Sequence, residues 1–146
     1  MFAVLGDLSG ASFLDIFSGS GIVALEAASR GAAIVEAVEM DALKRNTILE
    51  NVQISPVRIR CRFMAAELYV KRAKHPFDII FCDPPFDYRY KLNLVEAIAA
   101  SKLIKEDTLL LLHHPGETLP DSVGESLRRV DSREYGRSNV IFYRSI

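Results

Sequence analysis

The chain has 146 residues, 49% of them apolar and 25% charged, with a formal net charge of −1. That length suits one domain, and the balance excludes both a disordered chain and a simple polycationic nucleic-acid binder. The longest strictly apolar runs, such as Leu109 to Leu112, are too short to cross a membrane. No basic leader precedes Asp7, and two cysteines, Cys61 and Cys82, are too few for a disulfide framework. A reduced, cytoplasmic protein is expected.

Strands and helices alternate along the chain. Ser12 to Ile16 reads as a short buried strand running into Phe17-Ser18-Gly19-Ser20-Gly21. Ile22 to Arg30 suits a helix, rich in Ala, Leu and Glu and stopped by Gly31. Ala33 to Val38 reads as the second strand, and Asp41 to Asn51 as a helix with Asp41 as its N-cap. Val57 to Phe63 alternates apolar and basic residues with period two, which predicts a half-exposed strand. Ala65 to Lys74 should be helical, and Phe77 to Cys82 should be a buried strand ending in Asp83-Pro84-Pro85-Phe86. Leu92 to Ser101 gives a helix and Thr108 to His113 a fifth strand. Arg129 to Tyr135 and Asn139 to Arg144 read as two closing strands. Helices between strands imply a mainly parallel sheet, whereas two strands joined by a short turn pair antiparallel. The expected fold is α/β, with ligands at the carboxyl ends of the strands.

Charge is uneven along this pattern. Residues 1–57 carry three basic groups against seven acids, residues 58–105 carry ten against five, and residues 106–146 carry five against seven. The net +5 middle can form a local basic face that binds phosphates, although a solvated exterior accounts for most such side chains.

Gly19-Ser20-Gly21-Ile22-Val23-Ala24 fits G-x-G-x-x-A between a strand and a helix, with Glu39 eighteen residues after Gly21. Glycines let a backbone approach a ligand closely, and an acid ending the second strand can accept from ribose hydroxyls. Asp15, just before the loop, would repel a pyrophosphate but suits a ligand bearing an ammonium or sulfonium charge. S-adenosylmethionine has both charges and a ribose for Glu39.

In Asp83-Pro84-Pro85-Phe86, two prolines fix two φ angles and remove two backbone donors. Carbonyls and the Asp83 carboxylate remain as acceptors for an exocyclic nucleobase amine, and Phe86 offers a face on which the base can stack.

Phe13 to Gly21, Glu26-Ala27-Ala28-Ser29-Arg30-Gly31-Ala32, Val38-Glu39-Met40-Asp41 and Asp83-Pro84-Pro85-Phe86 together resemble the RsmD-type methyltransferases. The resemblance runs from Met1 nearly to the C-terminus and is most specific up to Gly31. It implies a Rossmann-like S-adenosylmethionine-dependent methyltransferase fold over residues 1–146. It also implies transfer of a methyl group to guanine N2 of small-subunit ribosomal RNA, within a small-subunit particle and without a metal. By resemblance, Asp15 and Ser18, Gly19, Ser20 and Gly21 hold the methionyl end of S-adenosylmethionine, and Glu39 holds the ribose. Met40 lines the adenine pocket, and Asp83, Pro84, Pro85 and Phe86 present the target amine. Many members carry Asp or Asn beside the adenine after the third strand. Here that edge reads Met64-Ala65-Ala66, so a backbone amide at Ala65 or Ala66 is expected instead. Members usually begin earlier, with a basic β-hairpin segment. Without it, this chain is expected to hold RNA weakly and with a shallow salt dependence.

Other features carry less. His113-His114-Pro115 is a poor metal site, because adjacent strand residues face opposite ways and no acid or cysteine cluster completes it. Tyr88, Arg89, Tyr90 and Lys91 interleave aromatics and cations that can contact a nucleotide or form plain loop surface. Gly136-Arg137-Ser138-Asn139 reads as a hairpin turn, and Ser20 lacks the partners of a hydrolase triad. The alternatives kept open are a DNA adenine-N6 methyltransferase, a non-catalytic nucleotide-binding module and, last, a nicotinamide oxidoreductase.

Overall fold

The computed structural model describes residues 2–114, 116 and 119–146, so Met1 and the Pro115 of the double-histidine segment lie outside the described residues. A short helix α1 (Phe2–Leu5) leads to β1 (Ser12–Ile16), α2 (Ile22–Ser29) and β2 (Ile34–Val38). A 3₁₀ turn (Ala42–Lys44) and α3 (Arg45–Val52) follow, then β3 (Ile59–Arg62), α4 (Ala66–Arg72) and β4 (Ile79–Cys82). After α5 (Lys91–Ala99), β5 (Leu109–His114), β6 (Ser122–Val123), β7 (Leu127–Tyr135) and β8 (Ser138–Ser145) complete the fold. The Asp41 carboxylate caps the 3₁₀ turn by accepting from the Leu43 amide (2.9 Å), as the sequence predicts for this position.

One eight-stranded sheet runs β3-β2-β1-β4-β5-β8-β7-β6. Its first five strands are parallel, while β8 pairs antiparallel with both β5 and β7. The expected break of parallel order at the C-terminal hairpin is therefore present, with β6 as an added short strand. The predicted single helix after Asp41 splits into a 3₁₀ turn and α3, and β5 continues one residue past its expected end, which places His113 and His114 opposite Val140 and Asn139.

Alternation along the strands divides the core between two faces. Phe13, Val35, Ala37, Phe81, Leu111 and Phe142 face α2 and α3; Leu14, Ile16, Ile80, Leu110, Leu112 and Tyr143 face α4 and α5. Full burial of such side chains contributes roughly 1.5–3 kcal/mol each. Small residues Ala24, Ala27 and Ala28 let α2 lie close to the sheet. Gly21 is constrained further. Its φ is +83°, and a Cβ there would stand 2.8 Å from Ile48 Cγ1, so α3 packs where a side chain would be.

Candidate active site

The strands end on one edge, and β1 turns there sharply. Phe17 adopts a left-handed φ of +63°, rare for a bulky residue. The Ser18 amide then donates to the Val38 carbonyl (2.9 Å), which fixes the glycine loop to the end of β2. Ser18 Oγ donates to Asp15 Oδ2 (2.6 Å), and the Gly19 amide donates to Glu39 Oε1 (2.7 Å). Glu39 Oε2 accepts from the Asp41 amide (2.8 Å). Asn51 Nδ2 donates to the Ser20 carbonyl (2.8 Å), so α3 braces the same loop.

The second segment is joined to the first. The Asp83 amide donates to the Ile16 carbonyl (3.3 Å), and the Tyr88 amide to the Pro85 carbonyl (2.9 Å). Phe17 and Tyr88 meet edge to face at 5.3 Å, and the Tyr88 hydroxyl donates to Glu67 in the first turn of α4. Pro84 is buried, whereas Phe86 is 84% exposed and Met40 is 70% exposed. Both apolar side chains stand open at the rim.

Electrostatics separate this edge from the rest of the fold. Asp15 is 1% exposed, and burial pushes its carboxyl up to about 7. The Ser18 hydroxyl and Ala24 amide oppose that rise, while the charges of Asp83 and Glu39 add to it. Burial likewise pushes up the Cys82 thiol, with Asp83, Asp15 and Glu67 contributing in that order. Several carboxylates thus converge, an arrangement suited to a cationic ligand.

The sequence-selected residues Asp15, Ser18, Gly19, Ser20, Gly21, Glu39 and Asp83 come together here. Met40 and Ala65 flank them, because the Glu39 amide bonds the Arg62 carbonyl (3.0 Å) where β2 and β3 end. Ala65 caps α4 without a side-chain bond, which leaves first-turn amides such as that of Ala66 without such a partner. One reading of the sequence needs correction. Lys91 does not join an exposed aromatic–cation row: it is 3% exposed and its Nζ donates to the Tyr88 carbonyl (2.5 Å), so only Arg89 and Tyr90 of that row are exposed.

Sequence reasoning missed His113. Its Nδ1 lies 2.8 Å from Asp83 Oδ1, so a proton on Nδ1 donates to that carboxylate. The strand register makes the contact: Cys82 pairs with Leu112, which places Asp83 beside His113. Among the described residues no group of three or more His, Cys, Asp or Glu is arranged to hold a metal.

Residues 1–144 match the family described as conserved hypothetical protein 95. The chain belongs to that family. It is 28% identical over 106 residues to ribosomal RNA small subunit methyltransferase D of Haemophilus influenzae, covering 66% of this chain and 53% of that protein. It is 35% identical over 81 residues to a tRNA1(Val) (adenine(37)-N6)-methyltransferase of Shewanella loihica, covering 51% and 33%. The chain thus spans about a half and a third of these two curated relatives. Among solved structures, a conserved hypothetical protein of Streptococcus pyogenes superposes with a TM-score of 0.91 at 29% identity, over 99% of this chain and 92% of that one. Magnesium protoporphyrin IX methyltransferase of Synechocystis, solved with bound S-adenosylmethionine, shares the fold alone: TM-score 0.74 and 11% identity, over 99% and 74%. These matches bear out the RsmD-type family and the Rossmann-like methyltransferase fold read from the motifs.

Proposed function

We propose that this protein is an S-adenosylmethionine-dependent RNA N-methyltransferase acting on guanine N2 of small-subunit ribosomal RNA. The observation that carries the reading is the physical union of two segments. The glycine loop with Glu39 and the Asp83-Pro84-Pro85-Phe86 corner share one strand edge, tied by the Asp83–Ile16 bond and the Phe17–Tyr88 contact. The residues fit the cofactor chemically, since buried and half-buried carboxylates surround a loop that offers close backbone approach. When bound, S-adenosylmethionine supplies a methyl group on a positively charged sulfur.

In this reading Asp15 and the loop from Ser18 to Gly21 hold the cationic methionyl end, and Glu39 takes the ribose while keeping the Gly19 and Asp41 amides. Met40 covers the adenine, and an amide at Ala65 or Ala66 meets its edge. Asp83 accepts one N–H of the target amine and aims the nitrogen lone pair at the methyl carbon. The Pro84 carbonyl takes the other N–H, because the Pro85 carbonyl is already bonded to Tyr88. Phe86 stacks on a base that has left its helix. His113 steadies Asp83 through Nδ1. Catalysis is largely positioning and needs no covalent enzyme intermediate.

The same corner serves adenine N6, and the Shewanella relative gives that second reading its support. Both are separated by incubating the protein and methyl-labelled S-adenosylmethionine with small-subunit particles, free ribosomal RNA and transfer RNA, followed by nucleoside analysis. N2-methylguanosine from ribosomal RNA is expected. N6-methyladenosine from transfer RNA would overturn the guanine assignment, and label in neither RNA would overturn the enzyme reading.

A further inference from the structure

A cavity of about 830 Å³ shares no lining residue with the carboxylate edge. It is a groove that runs from Met64 past β3 to Ser12 and Lys105, with β2 and β3 on one side and α4 and the loop after it on the other. The strand residues lining it are Ser12 from β1, Ile34 and Glu36 from β2, and Arg60 and Arg62 from β3, all polar except Ile34.

The charges in this groove divide into two sets. Glu36 is 8% exposed and neutralised by Arg62, whose Nε lies 3.0 Å away, and it also accepts from the Tyr69 hydroxyl. Asp78 is neutralised by Lys105 at 2.7 Å and accepts from the Ser12 amide and hydroxyl. Both carboxylates are thereby satisfied within the protein. The second set is Arg60 on β3, Arg72 at the end of α4 and Lys74 in the loop after it. All three are exposed, and among the described residues none has a carboxylate within ion-pair distance. They are three uncompensated positive charges lining one concave, solvent-open track.

We propose that this groove docks the phosphate backbone of the RNA substrate while the target base is presented at the carboxylate edge. The inference rests on the RNA reading above and adds where the flanking nucleotides lie. Three features favour a polyphosphate chain over a small ligand. The cations come from a strand, a helix end and a loop, so they line a length of groove rather than one point. The groove also opens beside the cofactor-facing end of the sheet: Arg62, which lines it, takes the Glu39 amide on its carbonyl. Lysine and arginine contacts to phosphate position a nucleic acid without reading its bases, leaving base selection to the corner at Phe86.

The test compares the full chain with a variant carrying Arg60→Ala, Arg72→Ala and Lys74→Ala. These side chains are exposed, so folding is checked by melting temperature, and cofactor loading by the stabilisation that S-adenosylhomocysteine gives. RNA affinity is then measured against salt for a small-subunit ribosomal RNA fragment and a transfer RNA transcript. Loss of three phosphate contacts should lower the slope of log affinity against log salt by about 2 to 2.7. Arg128→Ala, on β7 at the far side of the sheet, should leave that slope unchanged. An unaltered slope in the triple variant, or equal loss in Arg128→Ala, would overturn the groove assignment while leaving the methyltransferase reading intact. Competition of either RNA by polyglutamate at equal charge concentration would also overturn it, because the site would then serve an acidic protein. Failure of the unmodified protein to bind either RNA, with S-adenosylhomocysteine still bound, would instead overturn the RNA reading itself.

Discussion

The carboxylate edge and the basic groove lie on one sheet and solve opposite problems. At the edge, the polar groups are already bonded to one another: Asp15 to Ser18, Glu39 to Gly19 and Asp41, Asp83 to His113. In the groove, Arg60, Arg72 and Lys74 are left uncompensated among the described residues. Methyl transfer requires acceptors fixed in place before the substrate arrives, and internal hydrogen bonds supply that fixity. Docking a flexible polyanion requires charge that the protein has not already neutralised. A charge count along the chain registers the second kind of site and misses the first.

The largest effect that would test this contrast concerns Asp15. Its folded value near 7 lies above the 3.8 of an unperturbed Asp, so the folded state holds a proton that the unfolded chain has released between those values. Stability from this group is fully present below about pH 4 and is lost as pH rises through about 7. The difference is about 4 kcal/mol, from roughly 1.4 kcal/mol per pH unit. Urea unfolding of the protein and of Asp15→Asn from pH 4 to 8 should show the unsubstituted protein losing that much relative to the variant. Parallel curves would mean that the edge does not hold a strained carboxyl.

Next comes Asp83→Ala. It removes an acceptor for the amine, and methyl transfer should fall by roughly 10²–10³-fold, the scale for losing one preorganised polar partner. Stabilisation by S-adenosylhomocysteine should change little. Unchanged turnover would remove the corner from the chemistry. Glu39→Ala should weaken S-adenosylmethionine by about 1–3 kcal/mol in calorimetry, since it also releases the Gly19 and Asp41 amides. Equal affinity would move the ribose contact elsewhere.

The smallest effect is expected at His113. His113→Ala should lower kcat by about tenfold with little change in KM, because the loss is one hydrogen bond to Asp83. His113→Asn, whose amide nitrogen can occupy the Nδ1 position, should recover most of that loss. Equal loss in both variants would mean that the imidazole matters for packing rather than for holding Asp83.

Much of the edge was legible because its signals are local. A strand followed by Gly19-Ser20-Gly21, or by Asp83-Pro84-Pro85-Phe86, announces its geometry within a few residues, and the topology carries both to one side. The remainder depends on contacts between distant segments. His113 touches Asp83 only because β4 and β5 pair in one register, and that pairing is a property of the sheet. Lys91 read as exposed because its neighbours are polar and aromatic, yet the turn preceding α5 brings the Tyr88 carbonyl onto its ammonium. The alternation of Val57 to Phe63 predicted an exposed basic face. That this face lines a groove depends on how α4 and the loop after it sit against β2 and β3, which is a tertiary contact.

The position of β8 bears on how the chain is made. Residues 138–145 form the strand between β5 and β7, so the outer edge of β5 stays unpaired until they have been synthesised. Leu109 to Leu112 of β5 are then an apolar strand with open backbone groups on one side, the kind of template on which another chain can add. β7 offers no relief, because it reaches the sheet only through β8. A nascent chain or fragment ending before Ser138 should therefore aggregate through β5 although every residue of the glycine loop and the Asp83 corner is already present. The motifs that define the carboxylate edge are complete well before the sheet that supports them can close.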